Sequence, residues 1–202
     1  MRFFHPRTLL AAVTLLAPFA AAFTTDPLDS DPECTITSPH TESFYDLRPL
    51  SRFPSHTPPH HDWHVKGQDY HSNFTLNICA PVISNLTISN PAQPPLPDTI
   101  AAFYTHENIT YSIGAVSRKP VFRGRKLVLQ YDDGSACPDA PEGYTKSTVM
   151  SLMCDHEAFA HPAVSFVAQV KECTYFFEVR TAAACATVKE QNLGPVAVFG
   201  VM

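Results

Sequence analysis

The sequence lacks the features of a nucleic-acid-binding protein and of the common hydrolases. Charged residues make up only 16% of it and the formal net charge is -5, so no basic stripe is available to neutralise a phosphate backbone. It contains no Gly-x-Ser-x-Gly nucleophile elbow and no pair of acids placed across a cleft. We therefore expect neither a nucleic-acid partner nor an enzyme.

Close Cys-x-x-Cys pairs, which a structural zinc site needs, are also absent. Histidines are concentrated instead in and after a proline-rich stretch, at His56, His60, His61, His64 and His71. Imidazole is a common metal ligand, but Pro58-Pro59 interrupts the group and opposes a preset geometry. We expect residues 51–64 to form an exposed loop, and we expect no metal and no cofactor.

No segment after residue 23 has the signal of a helix of ordinary length, whereas short β-prone runs recur. They cover residues 73–78, 111–113, 126–131, 147–153, 164–170 and 174–179. Within one of them Leu127, Leu129 and Tyr131 alternate, as is typical of a half-buried strand. The Asp-Gly turn that ends at Gly134 can close a hairpin. This order predicts an all-β fold, a flattened barrel of two antiparallel sheets.

Two apolar runs lie near the ends of the chain, and both are shorter than the ~20 residues needed to cross a bilayer. Arg7, an apolar run over residues 9–19 and small residues at 20–22 follow in the order of a cleavable signal peptide, so we exclude residues 1–22 from the fold. We expect residues 23–33 to form a flexible leader. The apolar tail, residues 188–202, is expected to be a last strand or the first part of a membrane anchor that follows Met202.

Six cysteines remain after the signal peptide: Cys34, Cys79, Cys137, Cys154, Cys173 and Cys185. Because the signal peptide delivers them to an oxidising compartment, three disulfides are expected, although the spacing leaves their pairing open. Three Asn-x-Thr sequons, at Asn73, Asn85 and Asn108, predict glycan-bearing surface. Both features indicate a protein of the secretory pathway.

Residues 127–185 carry a specific order of cysteines and aromatic residues. One strand ends in a Gly-containing turn and Cys137, a second ends in Cys154, and a Cys-x-Tyr-x-Phe strand starts at Cys173 and leads to Thr-x-x-Ala-Cys185. Upstream lie a Tyr-Asp-Leu element at residues 45–47 and an Asn-x-Cys-x-Pro element at residues 77–81. Together these elements closely resemble the mannose 6-phosphate receptor homology domain, over residues 34–187.

The resemblance implies a disulfide-bonded domain. Its pattern pairs Cys34 with Cys79, Cys137 with Cys173, and Cys154 with Cys185. In the chain-entropy model each closure stabilises the fold by about 4 kcal/mol. The three disulfides together would then matter as much as the hydrophobic core.

The resemblance also implies a sugar site built from a Gln, an Arg, a Glu and a Tyr. The Tyr matches Tyr175, and the Arg position is occupied by Lys146, which keeps the positive charge but lacks the planar fork. The Glu position falls at Gln169, with Glu172 close by, and the Gln position falls at Tyr104. These five residues are the candidate ligand-binding residues.

The resemblance further implies a receptor-type domain. We expect it in the lumen of the Golgi, the endosome and the vacuole or lysosome, or as a secreted domain. Its ligand would be glycoprotein cargo that carries mannose-type or phosphomannosyl glycans. Relatives with this layout include fungal-type sorting receptors and a single-pass autophagy receptor. The departures at Lys146, Gln169 and Tyr104 leave a second interpretation open, a sugar-blind module that contacts a protein in trafficking or in autophagy receptor assembly.

Overall fold

The computed structural model describes residues 31–67, 72–86, 99–141, 143–158 and 161–188. Its strands are β1 (Thr35–Thr37), β2 (Phe44–Asp46), β3 (Trp63–Gly67), β4 (Ser72–Leu76), β5 (Ile100–His106), β6 (Ile109–Ala115), β7 (Val121–Arg123), β8 (Lys126–Tyr131), β9 (Ser147–Cys154), β10 (Ala163–Val170) and β11 (Thr174–Thr181). Among these residues no helix has the length and hydropathy to cross a bilayer. The predicted signal peptide, nearly all of the predicted leader and the tail from residue 189 lie outside the described residues.

The strands form two main sheets and a short ribbon. The five-stranded sheet has the order β10-β11-β9-β8-β7, the four-stranded sheet has the order β3-β4-β5-β6, and β1 pairs with β2. All neighbouring pairs are antiparallel except β9 and β11, which run parallel with Thr148 opposite Tyr175. The all-β prediction is confirmed, and the chain places β10 at the edge before β11 returns beside β9.

The core lies between the two sheets and follows from the alternation along their strands. Every second residue of β11, and of β9 as far as Leu152, is buried, as expected for strands with one face on the core. Phe74 of β4 stacks on Phe166 at 4.5 Å and meets Phe177 edge-on at 5.4 Å, so rings of the two sheets are in direct contact. Burial of one such side chain contributes about 1.5–3 kcal/mol.

The six predicted strands are present, and the structure adds others. β3 begins at Trp63, inside the stretch that we expected to be a loop, while residues 51–62 have no strand. β5 escaped prediction because its first residues, Ile100, Ala101 and Ala102, are all buried and its pairing with β6 is irregular there. A bulge of this kind removes the strict alternation on which strand prediction depends.

The predicted Asp-Gly turn does not close a two-residue hairpin. β8 ends at Tyr131 and β9 begins at Ser147, with one isolated pairing between them. The amide of Gly134 donates to the carbonyl of Lys146 at 2.9 Å. A Cβ at Gly134 would lie 2.7 Å from that carbonyl oxygen, so the glycine permits a close approach of two backbone segments rather than a tight hairpin.

The structure contains the three disulfides that the resemblance implied. Cys34 pairs with Cys79, Cys137 with Cys173, and Cys154 with Cys185, and no cysteine is left free. The first joins the start of β1 to the segment after β4. The second joins the connection between β8 and β9 to the turn before β11, and so fixes two segments beside the candidate site.

Candidate ligand-binding site

Lys146 is held by backbone contacts immediately before β9. Its amide donates to the carbonyl of Ser135 at 2.7 Å, and its carbonyl accepts from Gly134. Its side chain is only 2% exposed, although a lysine at the start of a strand is usually a surface residue. The long side chain therefore extends into the protein.

The ammonium of Lys146 is bound by polar atoms of the segment that leads into β11. It donates to the backbone carbonyl of Glu172 and to the hydroxyl of Tyr175, the latter at 3.3 Å. The Tyr175 hydroxyl also donates to the Glu172 carbonyl at 3.1 Å. These contacts use two of the three donors of the ammonium. Glu172 takes part through its main chain, because its carboxylate does not pair with Lys146 in the described part of the protein.

Three tyrosine rings surround the same ammonium. Its Nζ atom lies 5.8 Å from the ring centroids of Tyr104 and Tyr111 and 5.6 Å from that of Tyr175, within the range of cation-π attraction. Tyr104 and Tyr111 stack with their centroids 5.2 Å apart. We call Tyr104, Tyr111, Lys146, Tyr175 and the Glu172 carbonyl the Lys146 cluster.

Burial shifts the protonation equilibria of the cluster. It lowers the pKa of Lys146 to about 8, and the negative charge of Glu172 opposes that shift in part. Burial also raises the pKa of Tyr104 and of Tyr175, so both phenols are neutral at physiological pH. At neutral pH the cluster therefore holds one buried positive charge with carbonyl, hydroxyl and aromatic partners.

The structure brings together three of the five predicted side chains. Tyr104, Lys146 and Tyr175 meet in the Lys146 cluster, whereas the Glu172 side chain is exposed. Gln169 lies opposite Tyr175 on β10, half-buried and without a hydrogen bond from its side chain to the described residues. Tyr111 was missed by the sequence analysis, although it lies in a predicted strand, because its contact with Tyr104 depends on the pairing of β5 with β6.

The three predicted glycan acceptors all have exposed side chains. Asn73 lies on β4, Asn85 follows it in a loop, and Asn108 lies in the turn between β5 and β6 with a φ of 65°. Asn tolerates this left-handed conformation better than most residues. None of the three belongs to the Lys146 cluster.

One group of metal-ligand atoms is found among the described residues. Cys154, His156 and Cys185 bring one ligand atom each within 4.8 Å of the others. Both sulfurs are consumed by the disulfide between Cys154 and Cys185, so neither is available as a thiolate. This group therefore gives no support for a metal centre.

A sequence model for the cation-independent mannose-6-phosphate receptor repeat matches residues 18–138 and 143–196. A mannose 6-phosphate receptor-like protein of Schizosaccharomyces pombe is 37% identical, over 95% of this chain and 68% of that protein. Mannose 6-phosphate receptor-like protein 1 of Eremothecium gossypii is 34% identical over 92% of this chain, and that of Saccharomyces cerevisiae is 32% identical over 81%. The chain spans 60% and 47% of those two relatives.

Solved structures support the same fold. Domain 11 of chicken IGF2R superimposes with a TM-score of 0.59 at 23% identity, over 75% of this chain and 90% of that domain. Domain 11 of the echidna M6P/IGF2R receptor gives a TM-score of 0.57 at 23% identity, over 80% and 97%. The family model matches most of the chain, and the relative in Schizosaccharomyces pombe is 37% identical over 95% of it, so the chain belongs to the family of the mannose 6-phosphate receptor repeat.

Proposed function

We propose that this chain is the lumenal binding domain of a receptor for glycoprotein cargo, and that it recognises mannose-type or phosphomannosyl glycans at the Lys146 cluster. The observation that carries the proposal is the convergence of Lys146, Tyr104 and Tyr175, three residues from separate segments, around one ammonium group. In this proposal the receptor sorts its cargo between the Golgi, endosomes and the vacuole or lysosome. In this role the chain binds and does not catalyse.

The unused donor of Lys146 is the group through which a ligand would bind. Two of its N–H groups are occupied by Glu172 and Tyr175, which leaves one to donate to a sugar hydroxyl or a phosphate oxygen. The Tyr104 ring lies 5.8 Å from the ammonium. The Glu172 carbonyl already accepts from both Lys146 and Tyr175, so it holds the ammonium in place rather than binding the ligand. Lys146 acts as a point charge where an Arg would grip two oxygens, so hydroxyl recognition is weaker and anion recognition is retained.

The charge of the cluster favours a phosphomannosyl ligand over neutral mannose. No carboxylate of the described residues forms an ion pair with the ammonium of Lys146, although the charge of Glu172 acts on it from a greater distance. A phosphate oxygen would supply the missing negative charge in a site that is shielded from water, where such attraction is strong. The turn at Lys171 and Glu172, with φ values of 51° and 50°, is exposed and forms the side from which a ligand would approach.

A second candidate is a sugar-blind protein-interaction module that keeps the scaffold. The observation that favours it is burial, because Lys146 is 2% exposed, Tyr175 is 1% exposed and each already bonds to the other. A ligand would have to displace the Tyr104 side chain or the turn at Glu172 before it reached these atoms. In a sugar-blind module the cluster would serve the core alone.

The deciding experiment measures binding of mannose 6-phosphate and high-mannose glycans to the oxidised protein, to Tyr175→Phe and to Tyr144→Phe. Tyr144 is 63% exposed and serves as the matched control. We expect binding that weakens about tenfold in Tyr175→Phe, since one hydrogen bond to a charged group is lost, and that is unchanged in Tyr144→Phe. No binding to the folded wild type, with partners still recovered after enzymatic removal of glycans, would establish the sugar-blind module instead.

A further inference from the structure

The loop between the Arg48–Leu50 turn and β3 is anchored at both ends. The backbone of Arg52 exchanges two hydrogen bonds of 2.9 Å with the side chain of the fully buried Asn77. At the other end the Trp63 indole donates to the Leu50 carbonyl at 3.2 Å. The core therefore fixes the two ends of this loop.

Arg52 and His60 each have a buried polar atom without a partner. The Nε of Arg52 and the Nδ1 of His60 have no hydrogen-bond partner. Among the described residues, these two are the buried side-chain polar atoms that lack one. The Arg52 guanidinium lies 3.9 Å above the Trp63 ring, which supports the cation but accepts no conventional hydrogen bond. Buried polar atoms without a partner are uncommon in folded proteins, because leaving them unsatisfied is costly.

Two histidine rings stack on each other in the same loop, and the charge of Arg52 acts on one of them, His60. The ring centroids of His56 and His60 are 4.1 Å apart with planes 9° from parallel, and Phe53 extends the stack at 5.9 Å from His56. Nitrogen lone pairs lie in the ring planes, so two stacked rings cannot both direct a lone pair at an ion between them. The arrangement therefore opposes a shared metal ion.

The charged groups that act on this stack are positive. Burial lowers the pKa of His60, and the charges of His56 and Arg52 lower it further. The adjacent acid, Asp62, faces away, because it accepts from the amides of Ile83 at 2.8 Å and Ser84 at 2.9 Å.

The two neighbouring histidines add no negative charge either. His61 is exposed, and the His64 ring contacts the hydroxyl of Thr75 at 3.1 Å. No carboxylate of the described residues pairs with Arg52, His56 or His60. Protonation of both rings would therefore bring up to three positive charges together without a counter-ion.

We propose that Arg52, His56 and His60 form a second binding site, distinct from the Lys146 cluster, for a small oxyanion such as a phosphate or carboxylate group, and that the site fills in mildly acidic solution. A protonated imidazole donates from both nitrogens, and the Nδ1 of His56 already contacts the Phe53 carbonyl at 3.4 Å. The remaining imidazole N–H groups and the Arg52 guanidinium offer charge-assisted hydrogen bonds to an oxygen-rich anion. The bound anion relieves the repulsion between the stacked rings. By linkage, an anion that favours the protonated rings also raises their affinity for protons.

The test follows the ring resonances of His56 and His60 by NMR in the full, oxidised chain. Inorganic phosphate or acetate is added at matched ionic strength, at about pH 5.5 and about pH 7.5, on either side of the ordinary imidazole pKa. We expect phosphate to raise the titration midpoints of both rings and to bind about tenfold more tightly at the lower pH. A response to phosphate alone supports a phosphate site, and a response to both anions supports a general oxyanion site. No response of these rings to either anion overturns the proposal.

Variants separate this site from the rest of the molecule. Arg52→Gln and the double variant His56→Gln, His60→Gln should each weaken phosphate binding at low pH about tenfold or more, while His161→Gln, at an exposed histidine between β9 and β10, should leave it unchanged. Circular dichroism verifies that each variant is folded. In Lys146→Met the response of the rings should persist, whether or not that variant binds glycans. Loss of the response in Lys146→Met would assign the phosphate to the Lys146 cluster and overturn the second site.

Discussion

The Nζ atom of Lys146 lies 3.3 Å from the hydroxyl oxygen of Tyr175. The contact depends on the parallel pairing of β9 with β11, in which Ser147 lies opposite Thr174 and Thr148 opposite Tyr175. Lys146 comes one residue before this register begins, so its side chain reaches the start of β11. The candidate site is therefore a product of sheet topology as much as of residue type.

Replacement of Lys146 by Met should stabilise the protein at neutral pH. A buried charge without a carboxylate partner is costly, and an apolar side chain of similar length fills the same volume. We expect a gain of about 1 kcal/mol in the free energy of unfolding, a value that allows for solvent screening of the ammonium. Urea denaturation of wild type and variant at pH 7 measures the difference. A variant less stable than the wild type would show that the hydrogen bonds of the ammonium outweigh its burial.

The same pair of proteins should differ in the pH dependence of stability. The pKa of Lys146 is about 8 in the folded protein and lies at its ordinary value of ~10.4 in the unfolded chain, so between these values the unfolded chain binds more protons. The stability of the wild type relative to Lys146→Met should therefore rise with pH over this window and fall to its lower plateau below about pH 8. Subtraction of the variant's curve removes the effect of tyrosine ionisation. A difference that stays constant over this window would contradict the lowered pKa.

Removal of the Tyr131 hydroxyl should be one of the costliest single-atom deletions in the fold. This phenol is fully buried, donates to the carbonyl of Asn77 at 2.9 Å and accepts from the amide of Cys79 at 2.9 Å. Tyr131→Phe leaves both backbone groups buried without partners, at a cost of about 2–4 kcal/mol. Thermal denaturation should show this loss, whereas Tyr144→Phe, at a 63% exposed tyrosine, should change stability little. Equal melting temperatures in both variants would argue against the bridge.

Much of the fold could be predicted because local sequence patterns and the order of the cysteines indicate it. Alternation indicated β8 and β10, β-prone runs predicted β9 and β11, and the resemblance implied all three disulfides. Most of the strands that escaped prediction are short or irregular. β1 and β2 have three residues each, too few to show a period, and β5 begins with a bulge.

The site could be predicted only in part, because residue type does not reveal the direction of a side chain or a contribution from the main chain. Tyr104, Lys146 and Tyr175 were candidates and do meet. Glu172 was expected to act through its carboxylate, but its carbonyl makes the contacts. Tyr111 joins the cluster through the pairing of β5 with β6, a relation between segments that the local sequence does not contain.

The exposed sequons should be glycosylated when the full chain is expressed in a secretory host. Asn73, Asn85 and Asn108 all present exposed side chains, and N-linked glycans require a surface acceptor in the lumen. We expect the protein to migrate more slowly on a gel and endoglycosidase treatment to reverse this shift. Each Asn→Gln variant should lose the part of the shift that one glycan causes. An unshifted, enzyme-insensitive protein would contradict both the sequon and the signal-peptide predictions.

Gly134→Ala should damage the Lys146 cluster from a distance. An added Cβ would lie 2.7 Å from the carbonyl oxygens of both Lys146 and Ser112, a contact that the two backbones can relieve only by moving apart. Such overpacking typically costs about 1–3 kcal/mol, and here the displaced segment carries Lys146. Gly124→Ala is the matched control, because its Cβ meets nothing within 4 Å and its positive φ of 61° costs only about 1 kcal/mol. If the cluster binds glycans, Gly134→Ala should weaken glycan binding even under conditions where the variant is fully folded. Gly124→Ala should leave glycan binding intact. Equal effects of the two variants on stability and binding would show that the glycine does not position Lys146.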